Sequence, residues 1–269
     1  MAKNIFRQEF IMLLRSIAIW AISIALLFFV FMALFPSFAK QAEIINEALK
    51  NFPPQLLAAF GMTGVDLSTV LGFFGFLFLF AQICLAIQAS NYGFGMVSVE
   101  EREWTADFLL SKPITRSSVL TAKLVASLAA LAFTDMIVWA AAFIAVSGFN
   151  GGRPYDAGRL VLLLATVPVF QLFFLSVGLV VSLLVKRVRS VTPYSMGLAF
   201  GMYVLVVFSD LLGTAVFEKI TPFKHFEPNY VLQNGTWDWP LVAVSAAAIV
   251  VSIAASYLRY DRRDIPAVA

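Results

Sequence analysis

The sequence is poor in charged residues. Only 13% of its 269 residues are Asp, Glu, Lys or Arg, whereas a soluble domain has about 25%. In their place, 61% of the residues are hydrophobic, and the mean hydropathy of the chain is +0.87. This composition excludes a soluble globular domain, a disordered chain and a collagen repeat, and it indicates a membrane protein.

Cysteine and histidine are almost absent, since the chain has one of each, Cys84 and His225. A single cysteine cannot build a disulfide framework or a thiolate metal cluster within one chain. A single histidine excludes a histidine-based zinc site and leaves no support for a nucleophilic dyad inside the membrane. The sequence therefore predicts no metal site.

No nucleotide-binding loop of the form Gly-x-x-x-x-Gly-Lys-[Ser/Thr] occurs in the chain. Such a loop holds the phosphates of ATP with its backbone N–H groups. We therefore expect no ATP binding by a P-loop of this chain, and no cofactor on it.

Long apolar segments are what the sequence does contain. A helix crosses the roughly 30 Å hydrocarbon layer with about 20 apolar residues, because its backbone polar groups must be satisfied internally. Six segments qualify, and together they predict an all-α membrane protein with a single transmembrane domain over residues 1–269. The expected spans are 16–35, 67–97, 119–147, 160–185, 193–215 and 241–258.

The basic residues are unevenly divided between the two ends of these spans. Of the 19 Lys and Arg residues, 13 fall on one side of the predicted membrane: in the termini, in the links after the second and fourth spans, and, for Lys123, in the first turns of the third span. Cytoplasmic segments carry the excess of Lys and Arg. We therefore expect a multi-pass protein of the cell membrane with both termini in the cytoplasm.

The segment before the first span is amphipathic. Apolar residues between Ile5 and Leu14 share one helical face, opposite Lys3, Arg7 and Arg15. This pattern predicts an N-terminal helix that lies at the cytoplasmic interface and then turns into the bilayer.

A few polar residues lie inside the predicted spans. Asp135 is near the middle of the third span, where an acidic side chain costs about 2.5–3.5 kcal/mol on insertion scales. It could line a substrate path or relay protons, or it could accept hydrogen bonds from a neighbouring helix or subunit. The uncharged residues are expected to form interhelical hydrogen bonds by default: Gln82, Gln88, Asn91 and Gln171.

The link between the second and third spans is longer than a turn requires. An acidic cluster of Glu100, Glu101 and Glu103 is followed by Trp104, Phe108 and Leu109, which share one face of a short helix. Pro113 would end that helix, and Thr115 or Ser117 would cap the next one. Such a helix could lie in the headgroup layer or could bind a cytoplasmic partner.

This link resembles that of the permease subunits of the ABC-2 family of ATP-binding-cassette transporters. Family members carry E-x-x-x-G-T-x-E-x-L-L-x-x-P-[IV]-[ST]-R at this place, followed by a lysine that opens the third span. Trp104 stands here where glycine is usual, and Asp107 where glutamate is usual. The matching residues are Glu100, Thr105, Asp107, Leu109, Leu110, Pro113, Ile114, Thr115, Arg116 and Lys123.

The resemblance implies a transport subunit rather than an enzyme. Two such permeases, a chain with its own copy or with a paralogue, would form the pathway of an exporter. Two separate cytoplasmic ATPase subunits would carry ATP and Mg²⁺ and would dock on residues 100–116 as a coupling helix. Membrane lipid is the other expected partner, and nucleic acid is not one.

Two other classes remain open from the residues alone. The first is a secondary transporter or channel that runs on an ion gradient, which needs ionisable residues near the midplane. Asp135 is the one clear candidate for that role. The second is a membrane immunity or sensor protein without transport. For an exporter, the apolar spans favour a hydrophobic or amphipathic cargo such as a peptide, drug or lipid.

Overall fold

The computed structural model describes residues 2–41, 64–103, 115–185, 190–213 and 215–262. It also describes the positions 44, 45, 47, 48, 51–53, 56, 57, 62 and 188. Every regular element in this part of the chain is a helix. Six helical segments are long and apolar enough to cross a membrane. The prediction of an all-α membrane protein with six spans is confirmed.

The spans agree with the predicted segments, and several helices extend beyond them. In chain order the helices are α1 (Ala2–Met32), α2 (Phe35–Lys40), α3 (Val70–Glu103), α4 (Arg116–Phe149), α5 (Ala157–Leu164), α6 (Thr166–Leu184), α7 (Val191–Leu212), α8 (Ala215–Glu218), α9 (Pro222–His225), α10 (Pro228–Asn234) and α11 (Trp239–Arg262).

The amphipathic N-terminal segment and the first span form one uninterrupted helix, α1, of 31 residues. A helix of that length extends about 46 Å, which exceeds the roughly 30 Å of hydrocarbon. The residues expected to form an interfacial helix are therefore the first turns of α1. They are not a separate element that turns into the bilayer.

The fourth span is broken into α5 and α6 at Ala165. Pro168 has no N–H to donate to the Leu164 carbonyl, and its ring crowds that carbonyl. The Thr166 hydroxyl instead donates to the carbonyl of Leu163 at 2.6 Å. The hydropathy of segment 160–185 did not indicate this break, because the segment is long and predominantly apolar.

Helices α3 and α6 cross closely. A Cβ atom added at Gly93 would collide with the carbonyl oxygen of Leu175, and one added at Gly178 would lie 3.1 Å from the carbonyl oxygen of Ser90. Glycine at both positions lets the two backbones approach closely, as small residues do at helix crossings in membranes. In the rest of the bundle, α1 packs on α4, α7 packs on α3, and α11 packs on α6.

Contacts between the helix ends define two sides of the bundle. On the first, the start of α1 meets the start of α4 through Glu9 and Lys123. The end of α11 lies there too, because the Arg116 guanidinium donates to the Tyr260 carbonyl at 3.4 Å. We call this the termini side. On the opposite, far side, the guanidinium of Arg153 donates to the carbonyls of Ala39 and Ser68.

The short helices α8, α9 and α10 connect the fifth span to the sixth. Hydropathy alone predicts an outer loop here, but these helices insert between the far-side ends of the spans. The Phe223 ring packs on Phe170, Phe174 and Tyr203, with centroids 5.1–5.8 Å away. Such irregular backbone is tolerated at membrane depth only where protein surrounds it. We call residues 215–234 the inserted hairpin.

Candidate functional site

The two ends of the segment expected to couple the chain to a partner lie at the termini side. The backbone of Glu100, Glu101 and Glu103 is helical and forms the last turns of α3. The next helix begins at Arg116, capped by Thr115, whose hydroxyl oxygen accepts from the N–H of Ser118 at 3.3 Å. The remaining candidates lie outside the described residues: Trp104, Asp107, Phe108, Leu109 and Pro113.

Lys123 connects the two helices that flank this segment. Its ammonium group donates to the carbonyl oxygen of Met96 on α3 at 2.7 Å and lies 3.2 Å from Oε1 of Glu9 on α1. Only 3% of the Lys123 side chain is exposed. The lysine of the sequence motif is therefore a buried cation that holds three helices together near the start of α4.

Asp135 and Gln171 meet at one depth between α4 and α6. Asp135 lies fourteen residues before the end of α4, and Gln171 lies fourteen residues after the start of α5. Each is thus about 21 Å from the far-side end of its span. The two side chains line the same pocket, which has a volume of about 540 Å³.

The walls of this pocket are apolar apart from those two side chains. They include Leu128, Trp139 and Leu172. Met136 lines the open side and is 58% exposed on the surface of the bundle. The volume lies within the range of about 300–1,000 Å³ that small-molecule sites occupy. We call this cavity the Asp135 pocket.

Several polar atoms of Asp135 and Gln171 have no hydrogen-bond partner in the part of the chain that the structure describes. Asp135 is 7% exposed and Gln171 is 1% exposed. The Gln171 amide lies beside Asp135, yet neither polar atom of that amide, nor Oδ1 of Asp135, has a hydrogen-bond partner among the described residues. Buried polar side chains are usually paired, so these unpaired atoms make Asp135 and Gln171 candidates for a ligand-binding site.

Gln88 lies in a hydrogen-bonded chain nearer the termini side. Its amide donates to the Thr134 hydroxyl on α4 at 2.8 Å and to the Tyr92 hydroxyl at 3.1 Å. Tyr92 in turn donates to the Ser16 hydroxyl on α1 at 3.2 Å. The chain joins α1, α3 and α4, as expected for an interhelical hydrogen-bonding residue.

Gln82 bonds to a part of the chain that was predicted to lie outside the spans. Its amide donates to the Phe226 carbonyl in the inserted hairpin at 2.9 Å. Gln82 lies twelve residues into α3, about 18 Å from the far-side end of that helix. The hairpin therefore reaches well into the bundle. Asn91 is half-buried on the same helix.

Two charged or titratable side chains fix the inserted hairpin. The Lys224 ammonium lies 2.6 Å from Oδ1 of Asp210 and 3.0 Å from Oε2 of Glu227. His225 is 2% exposed, and its Nε2 donates to the Glu218 carbonyl at 2.9 Å. Its Nδ1 must then accept from the Ser245 hydroxyl, at 2.6 Å, because a neutral imidazole has one donor nitrogen. These contacts tie the hairpin to α7 and α11.

Sequence reasoning found Asp135 and Gln171 but did not bring them together. Trp139 also lines the pocket and was not among the expected site residues. It lies one helical turn after Asp135 and therefore on the same face of α4. The spacing was visible in the sequence. The sequence did not show that this face of α4 meets Gln171 across an apolar cavity, because the rotation of a helix about its axis depends on packing.

Comparison with known proteins identifies the chain by family alone. The family model described as "ABC-2 family transporter protein" matches residues 3–265, nearly the whole chain. No curated protein matches the chain significantly.

Proposed function

Because this chain is a membrane permease of the ABC-2 transporter family, we propose that it forms, with a second permease, the pathway of an exporter driven by two separate cytoplasmic ATPase subunits. The second permease is another copy of the chain or a paralogue. ATP and Mg²⁺ bind on the ATPase subunits. The cargo is hydrophobic or amphipathic.

The observation that carries this proposal is the family match together with the motif at residues 100–116. The chain has no P-loop of its own, so a pump built on it needs an outside source of energy. In the motif, acidic residues precede two aromatic side chains, Trp104 and Phe108, that can anchor a small protein interface.

The contacts around Lys123 suggest how movement of this segment reaches the spans. The segment joins the end of α3 to the start of α4, and Lys123 bonds to both α3 and α1. Closure of an ATPase dimer would displace the docked segment and with it these three helices. ATP binding then favours the outward-facing state of the pathway over the inward-facing state only to the extent that ATP binds more tightly when the pathway faces outward.

The contact between the two permeases is proposed on α7. This helix is the least buried of the six spans. Gly197 and Gly201 are four residues apart, and a Cβ atom added at either would meet nothing within 4 Å. Spacing of this kind allows two membrane helices to approach closely, and a second permease would fill that space.

The double substitution Trp104→Ala with Phe108→Ala tests the docking role. It should abolish co-purification of the ATPase while the permease still inserts and dimerises, since loss of one buried aromatic anchor commonly costs ~2 kcal/mol or more. Glu101→Ala is the matched control at the acidic rim and should weaken association modestly, and only at low salt. If the double variant keeps its ATPase and its transport, residues 100–116 are an interfacial helix and not a coupling helix.

A further inference from the structure

The Asp135 pocket has an acidic group without a cation. Among the residues that line it, none is Lys, Arg or His, and the nearest buried lysine of α4, Lys123, is already bonded to Glu9 and Met96. A carboxyl group at mid-span is costly. A carboxyl group in an apolar cavity is stabilised by a partner that supplies positive charge or a proton.

Asp135 and Gln171 line this cavity, and three of their buried polar atoms have no hydrogen-bond partner among the described residues: Oδ1 of Asp135 and both polar atoms of the Gln171 amide. Two of them are acceptors, and one is a donor. This set matches an ammonium group, which donates to both oxygens, on a molecule whose own carbonyl or hydroxyl accepts from the Gln171 nitrogen. An inorganic cation fits poorly, because Ca²⁺ takes six to eight oxygen ligands and Mg²⁺ six.

The remaining walls define the body of the ligand. The aliphatic side chains Leu128, Leu131 and Leu172 suit an apolar group of drug-like size. The Trp139 indole lines the same cavity one turn from Asp135, where an aromatic face attracts an organic cation. Because the open side lies at mid-span beside the exposed Met136, an amphipathic molecule can enter from the bilayer.

We infer that the Asp135 pocket binds an apolar organic amine, with the ammonium group at Asp135 and Gln171 and the apolar body against Trp139 and the leucines. This inference rests on the proposed function, since it gives the exporter a cargo class. It assigns Asp135 a ligand-binding role rather than a structural one.

The test is equilibrium binding to the full-length permease in phosphatidylcholine nanodiscs, measured by fluorescence anisotropy. The probe is monodansylcadaverine, a fluorescent apolar primary amine, and the neutral control is the same molecule with a terminal hydroxyl in place of the amine. Wild-type protein should bind the amine at least about tenfold more tightly than the alcohol, a difference of about 1.4 kcal/mol.

Substitutions then locate the site. Asp135→Asn should weaken amine binding about tenfold and leave alcohol binding unchanged, Asp135→Glu should largely retain amine binding, and Gln171→Ala should weaken it a few-fold. Asp156→Asn is the matched control, because Asp156 is an exposed carboxylate that caps α5 and asparagine caps equally well. Size-exclusion chromatography verifies that each variant is folded.

Three results would overturn the inference: no amine binding by wild-type protein, equal binding of amine and alcohol, or unchanged amine binding in folded Asp135→Asn. The proposed function has a separate readout, co-purification of the ATPase. Failure of amine binding with the ATPase still attached refutes the cargo class alone. Binding through Asp135 without any ATPase partner refutes the ATP-driven exporter and keeps the amine site.

Discussion

Lys123 in the second turn of α4 and Glu9 in the second turn of α1 form an ion pair of 3.2 Å. The lysine is nearly inaccessible, whereas 27% of the Glu9 side chain is exposed. The same ammonium group also bonds to the Met96 carbonyl of α3. One buried cation thus joins three helices beside the proposed coupling segment.

Replacement of Lys123 by methionine should destabilise the protein by about 1–3 kcal/mol, because the Met96 carbonyl and Glu9 lose a charged hydrogen-bond donor. Thermal unfolding of the purified protein measures the change. Lys3→Met is the control, since Lys3 is exposed near the start of α1, and it should unfold like wild type. If the effects of Lys123→Met and Glu9→Gln are simply additive in the double variant, the two side chains are not energetically coupled.

The orientation predicted from the basic residues can be measured with single cysteines in a Cys84→Ala background. Ser37 and Thr236 are both exposed on the far side, so cysteines there should react with an impermeant thiol reagent applied to intact cells. Asp261→Cys, exposed at the end of α11, should react only after lysis. The reverse pattern would place both chain ends outside the cytoplasm.

Acid should loosen the inserted hairpin through His225. Burial lowers the pKa of this histidine below its usual value of 6.5, against opposing hydrogen bonds to the backbone and the charge of Asp238. The unfolded chain therefore binds the proton more readily, and stability falls as the pH drops through about 6.5. Wild-type protein should lose more stability than His225→Gln between about pH 7.5 and 5.5, as measured by thermal unfolding.

Protonation of the acidic groups around the hairpin is an alternative explanation for a loss of stability in acid. Asp210 and Glu227 pair with Lys224 beside the hairpin. Equal losses of stability in wild type and His225→Gln would assign the acid effect to these or other groups.

If a second copy of the chain packs on α7, the two copies of position 197 should lie close enough to be cross-linked. In a Cys84→Ala background, Gly197→Cys should give disulfide-linked dimers under mild oxidation. Val250→Cys is the control, since Val250 is 67% exposed on α11, away from the proposed contact. Equal cross-linking at both positions, or none at Gly197, would argue against pairing of two copies through α7.

Much of the architecture follows from the sequence because it depends on local properties. Each span must satisfy its backbone hydrogen bonds within itself, so its presence can be read from hydropathy. The cap at Thr115 is equally local. The motif at residues 100–116 pointed to the family that the comparison with the family model identified, because such a motif can be read from residue types at fixed spacings.

The tertiary structure decided how distant segments meet. Residues 215–234 are short, mixed in polarity and rich in turns, so the sequence indicated an outer loop. Their insertion depends on pairings such as Gln82 with the Phe226 carbonyl, 144 residues apart. The sequence motif includes Lys123, but its partners on α1 and α3 follow only from the packing of the three helices.

The sequence by itself determined six spanning helices, a cap at the start of α4 and the family motif, because hydropathy, capping and residue spacing act over a few neighbouring residues. Only the tertiary structure decided that Asp135 and Gln171 line one apolar pocket. Some of their polar atoms have no partner there among the described residues. The rotation and depth of α4 against α6 are set by side-chain packing along the whole interface, which no local pattern in either helix encodes.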